Sequence, residues 1–323
     1  MPQSASQISP ALATFSEQDV VPSRSSSTVP ASTVRVWPGW TETFTDVLAV
    51  EEPLELRIAY GPAGARQTKS ITVTMRTPGN DAELAVGFLL TEGILDDSSQ
   101  ILRIGGLTEE QLAADQPHGA LPASTRANSI LVELQPDVEL RLATLERNFY
   151  TTSSCGICGK ASLLALRTVC PPRRHNGFTM TAEAIYSLPE SLRSAQQVFD
   201  STGGLHGAAL FTGSGDLVMV REDVGRHNAV DKLIGAQTLI DAIPLRDKML
   251  MLSGRASFEL LQKAVMAGIP MVAAVGAPSS LAVQVAREFD VTLIGFLRNR
   301  RFNIYHGSER ILTPPNSSTA DAL

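Results

Sequence analysis

Three short, continuously apolar runs, Met249-Leu-Met-Leu252, Pro270-Met-Val-Ala-Ala-Val275 and Val291-Thr-Leu-Ile-Gly-Phe296, are spaced by helical patterns over Phe258 to Ala267 and Ser280 to Phe289. Short runs without polar alternation fit strands covered on both faces, and a helix between strands is the crossover that parallel pairing requires. The carboxy-terminal half is therefore constrained to an α/β fold. Leu205 to Phe211 and Leu217 to Arg221 flank Thr212-Gly-Ser-Gly-Asp216, which predicts a hairpin, and Asp223 is placed to cap a helix through Ile240. Thr181 is placed to cap an amphipathic helix that runs to Phe199 and stops at Gly203-Gly204.

The amino-terminal half reads differently. Leu54 to Tyr60 and Lys69 to Arg76 alternate as half-buried strands do, around the turn formers Gly61-Pro-Ala-Gly64. Asn80 or Asp81 caps a helix over Ala82 to Glu92 with Gly93 at its stop, and strands follow near Ile101 to Ile104 and Ser129 to Leu134. Ser, Ala, Thr and Pro dominate the first residues without periodicity, too little apolar surface to offset ordering. The expected organisation is a tail over 1–33, an α+β lobe over 34–150, a thiol loop and helix over 151–180, the α/β domain over 181–312 and a loose end over 313–323.

Composition removes several function classes. A net charge of −6 argues against a general nucleic-acid binder. No apolar run approaches the roughly 18 to 20 residues of a membrane span, and no basic-then-apolar leader opens the chain. Three cysteines are too few, and odd in number, for a secreted disulfide framework, so a cytoplasmic location is expected.

Two of those cysteines stand in Ser153-Ser-Cys155-Gly-Ile-Cys158-Gly-Lys160, just before a helical pattern that opens at Lys160. Unpaired amides at a helix start, the positive end of its dipole and the Lys160 ammonium all favour thiolate over thiol. The spacing alone also suits a redox disulfide or half a zinc site. Cys170 and His175 could complete Cys3His. Against that, Cys170 falls on the same helical pattern, about three turns from Cys158 at 1.5 Å per residue. The plainer reading of Cys170 is a small buried hydrophobe.

Other polar groups cluster at predicted strand ends. They are Gly204-Leu-His206, Arg221-Glu-Asp-Val-Gly-Arg-His-Asn228, Ser253-Gly-Arg255, Gly276-Ala-Pro-Ser279 and Phe296-Leu-Arg-Asn-Arg-Arg301. Each has a plain structural reading: a hydrogen-bonded histidine in a turn, helix caps with surface ion pairs, or a solvated arginine edge. Convergence weighs against those readings, because loops after parallel strands gather at one rim, where open α/β sheets bind ligands. The ligand expected there is anionic and nucleotide-like.

The thiol motif, these strand-end motifs, Arg76-Thr-Pro-Gly-Asn-Asp81 with Ala85-Val-Gly-Phe-Leu-Leu-Thr-Glu-Gly93, and the extended run Arg221 to Lys232 together resemble the FdhD family of formate dehydrogenase accessory proteins. The likeness runs in consistent order from about Leu54 to Tyr305. It implies a sulfurtransferase that takes persulfide sulfur from a cysteine desulfurase and passes it to the molybdenum or tungsten cofactor carrying two pyranopterin guanine dinucleotides, for formate dehydrogenase. By the same resemblance Cys155 bears the persulfide, with Cys158 its companion. Phe296, Leu297, Arg298, Asn299, Arg300 and Arg301 belong to the cofactor-binding segment, and the strand-end reading adds His206, Ser253 and Arg255. The implied fold resembles cytidine deaminases, a mixed sheet flanked by helices, with a smaller α+β lobe, and the implied assembly is a homodimer. No resident metal is expected.

Two other classes remain open on sequence alone. A zinc-dependent, deaminase-like hydrolase would need a glutamate beside a ligand histidine, and no His-x-Glu triplet occurs. A non-catalytic cofactor chaperone with structural thiols would keep its function without Cys155.

Overall fold

The computed structural model describes residues 26–107, 128–140, 163, 166–168, 170 and 177–313. Cys155, Cys158, Lys160 and His175 lie outside the described residues, as does the polar insertion over Glu109 to Ala123.

The chain opens with the hairpin β1 (Thr28–Trp37) and β2 (Trp40–Ala49). Residues 28–33, expected to belong to the tail, are strand, because pairing with the second strand supplies hydrogen bonds that no local pattern announces. A four-stranded sheet follows, built from β3 (Glu52–Tyr60), β4 (Gln67–Arg76), β5 (Ile101–Gly105) and β6 (Ser129–Leu134) in the order β4-β3-β6-β5. Helix α1 (Asp81–Thr91) buries Leu84, Val86 and Leu89 in one core with Leu56, Ile58 and Val132 of that sheet. Asn80 holds the cap position but makes no side-chain cap bond, since its backbone is left-handed.

The larger lobe starts at β7 (Met180–Thr181), where the Thr181 hydroxyl accepts from the Ala184 amide and opens α2 (Ala182–Ala195). The helix predicted to reach Phe199 breaks at Gln196 and resumes as α3 (Gln197–Thr202), ending on left-handed Gly203. Strands β8 (His206–Phe211) and β9 (Leu217–Asp223) lead to α4 (Arg226–Leu239). Then come β10 (Met249–Leu252), α5 (Phe258–Met266), β11 (Met271–Ala274), α6 (Ser280–Glu288), β12 (Thr292–Arg298), β13 (Arg301–His306) and β14 (Ile311–Leu312).

The six-stranded order is β13-β12-β11-β10-β8-β9, with β10, β11 and β12 parallel and the other three antiparallel to their neighbours. One face packs Ala208, Leu210, Leu250 and Val272 against α4, α5 and α6. The other packs Ala209, Phe211, Met251 and Ala273 against α2. The expected α/β class, a mixed sheet flanked by helices with a smaller α+β lobe, is what the chain adopts.

The lobes meet where α1 crosses α4 at backbone contact. A Cβ added at Gly87 would stand 1.8 Å from the Asp231 carbonyl oxygen, and one at Gly235 would stand 1.8 Å from that of Glu83. No side chain fits either position. Around the crossing, Arg221 bonds Glu83 through two nitrogens, at 2.5 and 2.7 Å. The buried Lys232 ammonium lies 2.7 Å from the buried Asp223 carboxylate and donates to the Thr77 carbonyl.

Candidate functional site at the rim of the large sheet

Parallel β10, β11 and β12 end at one edge, and antiparallel β8 begins there, so His206 arrives beside the turns after β10 and β11. Backbone bonds continue the sheet past the strand ends. Ser253 N–H donates to the Gly207 carbonyl (3.0 Å), Gly276 N–H to that of Gly254 (2.9 Å), and Phe296 N–H to that of Gly276 (3.0 Å). The Ser253 hydroxyl accepts from Gly207 N–H at 2.9 Å. Gly276 leaves little room for a side chain, since a Cβ there would sit 2.9 Å from Arg255 Cγ and 3.1 Å from the Gly254 carbonyl oxygen, while one at Gly254 would just touch the His206 ring (3.5 Å to Nδ1). His206, Ser253, Arg255 and Phe296 are thus brought to one rim.

The remainder of the segment after β12 behaves otherwise. Phe296 has φ 55°, and the ladder shifts register between Gly295 and Arg298, bending the hairpin. Leu297 is fully buried in the core beneath α2. Asn299 and Arg300, both at positive φ, form the tip. Arg300 bonds Glu183 and stacks over Tyr186, so the tip lies against the start of α2. Arg298 and Arg301 pair across the turn and are exposed.

The run Arg221 to Asn228 divides in two. Glu222 accepts from the Val198 and Phe199 amides and caps α3 (3.0 and 2.8 Å), while Asp223, expected to cap the following helix, is buried against Lys232 and the Thr77 amide. Gly225 holds the cap position of α4. Asn228 donates to the Met75 carbonyl. Asp223 and Asn228 belong to the seam between lobes.

Arg226 and His227 turn toward the rim instead. Arg226 Nε and His227 Nε2 are shielded from solvent and have no hydrogen-bond partner among the described residues, and an orphaned buried polar atom calls for a ligand or water. Burial, then Lys263 and Arg226, push His227 down to about 4, although Glu259 lies 3.9 Å away. Burial, then Arg226, also lower His206, with Asp223 opposing. Burial works against the Glu259 carboxylate, but its own amide and Ser257 outweigh it and hold its pKa below the usual range.

At neutral pH the rim therefore offers fixed guanidinium charge on Arg226 and Arg255, a neutral imidazole at His227, a second whose pKa is lowered at His206, and one carboxylate at Glu259. Guanidiniums with free donors suit phosphate, and neutral imidazoles can accept as well as donate. Arg226 and His227 stand in one of the strand-end motifs, but nothing local separates them from their seam-bound neighbours. Sequence pattern does not mark Glu259; its place in the first turn after Ser253-Gly-Arg255 is the available cue.

Cys170 is partly buried against the large core, with its Sγ 3.8 Å from the Val265 carbonyl, and its amide bonds the Leu166 carbonyl as in a helix. Among the described residues, no group of three or more His, Cys, Asp or Glu could hold a metal, and no helix is long and apolar enough to cross a membrane.

Residues 49–312 match the model of the FdhD/NarQ family. The sulfur carrier protein FdhD of Streptomyces avermitilis is 49% identical over 288 residues, covering 86% of this chain and 93% of that protein. The protein of the same name from Sulfurisphaera tokodaii is 41% identical, covering 83% and 92%. A crystal structure described as a candidate formate dehydrogenase accessory protein from Desulfotalea psychrophila superposes with a TM-score of 0.64 at 24% identity, covering 89% of this chain and all of that one.

Proposed function

The chain belongs to the FdhD/NarQ family, and from that premise we propose that it is a sulfur carrier in the maturation of formate dehydrogenase. The Cys155 thiolate attacks the terminal sulfur of a cysteine desulfurase persulfide; the donor sulfur–sulfur bond breaks, the donor leaves as thiolate, and Cys155 keeps the sulfur as its own persulfide. Delivery returns Cys155 to thiolate and hands over sulfur at oxidation level zero, so the acceptor must supply two electrons to hold it as sulfide. Lys160, two residues beyond Cys158 in the sequence, adds a cation that favours the anionic forms at both stages. Cys158 shields or resolves the persulfide.

The cargo's acceptor is the molybdenum or tungsten bis-pyranopterin guanine dinucleotide, a substrate rather than a resident group. The observation that carries this half is the pair of rim guanidiniums, Arg226 and Arg255, with Arg226 Nε bonded to no partner among the described residues. Phosphates of a guanine nucleotide supply what such a group lacks. Arg298 and Arg301, exposed beyond the bend at Phe296, add positive charge for an extended ligand. The protein acts in the cytoplasm and as a homodimer, with the desulfurase and formate dehydrogenase as partners.

Mass spectrometry after incubation with a desulfurase and cysteine tests the transfer. The Cys155 peptide gains one sulfur atom, and a Cys155→Ala chain yields inactive formate dehydrogenase. Active enzyme from that variant would instead favour a chaperone with structural thiols.

A further inference from the structure

Two acid–base pairs, one helical turn apart, join α4 to α5. At the rim, His227 Nε2 lies 3.9 Å from the Glu259 carboxylate; one turn deeper, Lys263 Nζ lies 2.9 Å from that of Asp231. The outer pair is partly exposed, whereas Asp231 and Lys263 are only 1% and 4% exposed. The end of α1 closes around the inner pair. Lys263 donates to the Thr91 hydroxyl at 2.9 Å, that hydroxyl donates to Asp231 at 2.8 Å, and the Glu92 carboxylate lies 3.6 Å from Nζ. The ammonium also stands over the Phe88 ring, 5.5 Å from its centre.

Lys263 thus faces two ways. It answers the carboxylates beside α1, and its charge also reaches the rim, where it helps to keep His227 neutral. An ion pair projects little field beyond itself, but an ammonium beside a neutral carboxyl projects a full charge. Asp231 meets Lys263 from α5, Thr91 and Glu92 from α1, and has His227 one turn away on its own helix; the neighbouring Lys232 is turned to Asp223. Burial pushes the Asp231 carboxyl up to about 6, with Glu92 adding to it and Lys263 and Thr91 opposing. When the proton is on, Glu92 remains to keep Lys263 charged.

We propose that Asp231 is a proton switch for the rim: on taking up a proton it unmasks the charge of Lys263, and the rim then holds an anion more tightly. The inference rests on the reading of the rim as an anion site and adds its regulation. Affinity rises as pH falls through the Asp231 range, and by reciprocity a bound anion draws the proton on.

Calorimetry with GDP on the full chain tests the switch. At about pH 7.5, Asp231→Asn should tighten binding about threefold or more even though the broken pair costs stability. The same substitution made in a Lys263→Met chain should give no gain, because no charge is left to unmask. As pH falls from about 7.5 to about 5, the advantage of Asp231→Asn over the wild type should vanish, because the wild type is then protonated too. The terminal phosphate of GDP loses charge over the same range, but equally for both chains, so it drops out of that ratio. Should Asp231→Asn fail to fold, Asp231→Leu with Lys263→Met replaces the buried pair by apolar groups; the wild type should gain about threefold or more on that chain over the same pH range. Binding that ignores Asp231, or that weakens alike with either member of the pair removed, overturns the switch and leaves the anion site standing. A wild type that does not bind GDP removes the site, and the switch with it.

Discussion

The seam between the lobes and the rim of the large sheet share one stretch of chain, Arg221 to Lys232, and use it in opposite ways. At the seam, the polar groups named above are answered: Arg221 by Glu83, Asp223 by Lys232 and Thr77, Asn228 by Met75 and Asp223. Deeper in, Asp231 is pushed up to about 6 by burial, against the pull of Lys263 at 2.9 Å, and the Thr91 hydroxyl donates to it. At the rim, Arg226 Nε and His227 Nε2 are buried with no hydrogen-bond partner among the described residues. Full satisfaction marks the polar groups that hold the lobes, whereas the rim atoms keep hydrogen-bonding capacity that a ligand or water would fill.

The largest effect that could break this contrast is at the helix crossing. Gly87→Leu should abolish folded protein, a loss of more than about 4 kcal/mol, seen as absence of a cooperative melt. A folded variant would mean the helices can part. Next, Asp223→Ala leaves the Lys232 ammonium buried alone and should cost about 3 to 5 kcal/mol in urea unfolding. A cost below about 1 kcal/mol would place that pair among exposed ones. Arg226→Gln should leave the same curve within about 0.5 kcal/mol yet weaken GDP binding by calorimetry about 10- to 100-fold, the loss of a charged hydrogen bond worth about 1.5 to 3 kcal/mol. Equal damage to stability would move Arg226 into the seam.

The smallest effect sharpens the comparison through pH. His227 is neutral in the folded chain down to about 4, whereas the unfolded chain takes up its proton near 6.5. The unfolded state binds more protons within that window, so His227 removes stability as pH falls from about 6.5 toward 4. His227→Gln should flatten the decline of melting temperature over this range. An unchanged slope would show the imidazole protonating freely, as an exposed one does.

Sequence periodicity reaches the large sheet because its strands are covered on both faces, which leaves runs such as Met249 to Leu252 without polar residues. It also places Ser253, Arg255 and His206 at one edge, since topology alone fixes where strand ends go. What it cannot resolve is the use of neighbouring charges. Asp223 looks like a helix cap until Lys232, later in the chain but adjacent in space, is seen to claim it. Leu297 and Arg300 read as ligand groups within an arginine-rich end, and the bend at Phe296 is a backbone property with no cue in side-chain pattern. The first hairpin begins earlier than its pattern suggests for a related reason: among the described residues none of its positions is fully buried, so burial leaves little trace in the order of residues.

Because β8 runs against β10, the turn Thr212 to Asp216 lies at the pole of the sheet opposite His206. A fluorophore or affinity handle grafted between Ser214 and Gly215 would therefore report on the protein, or immobilise it, with the entire end that carries His206 left open to visitors.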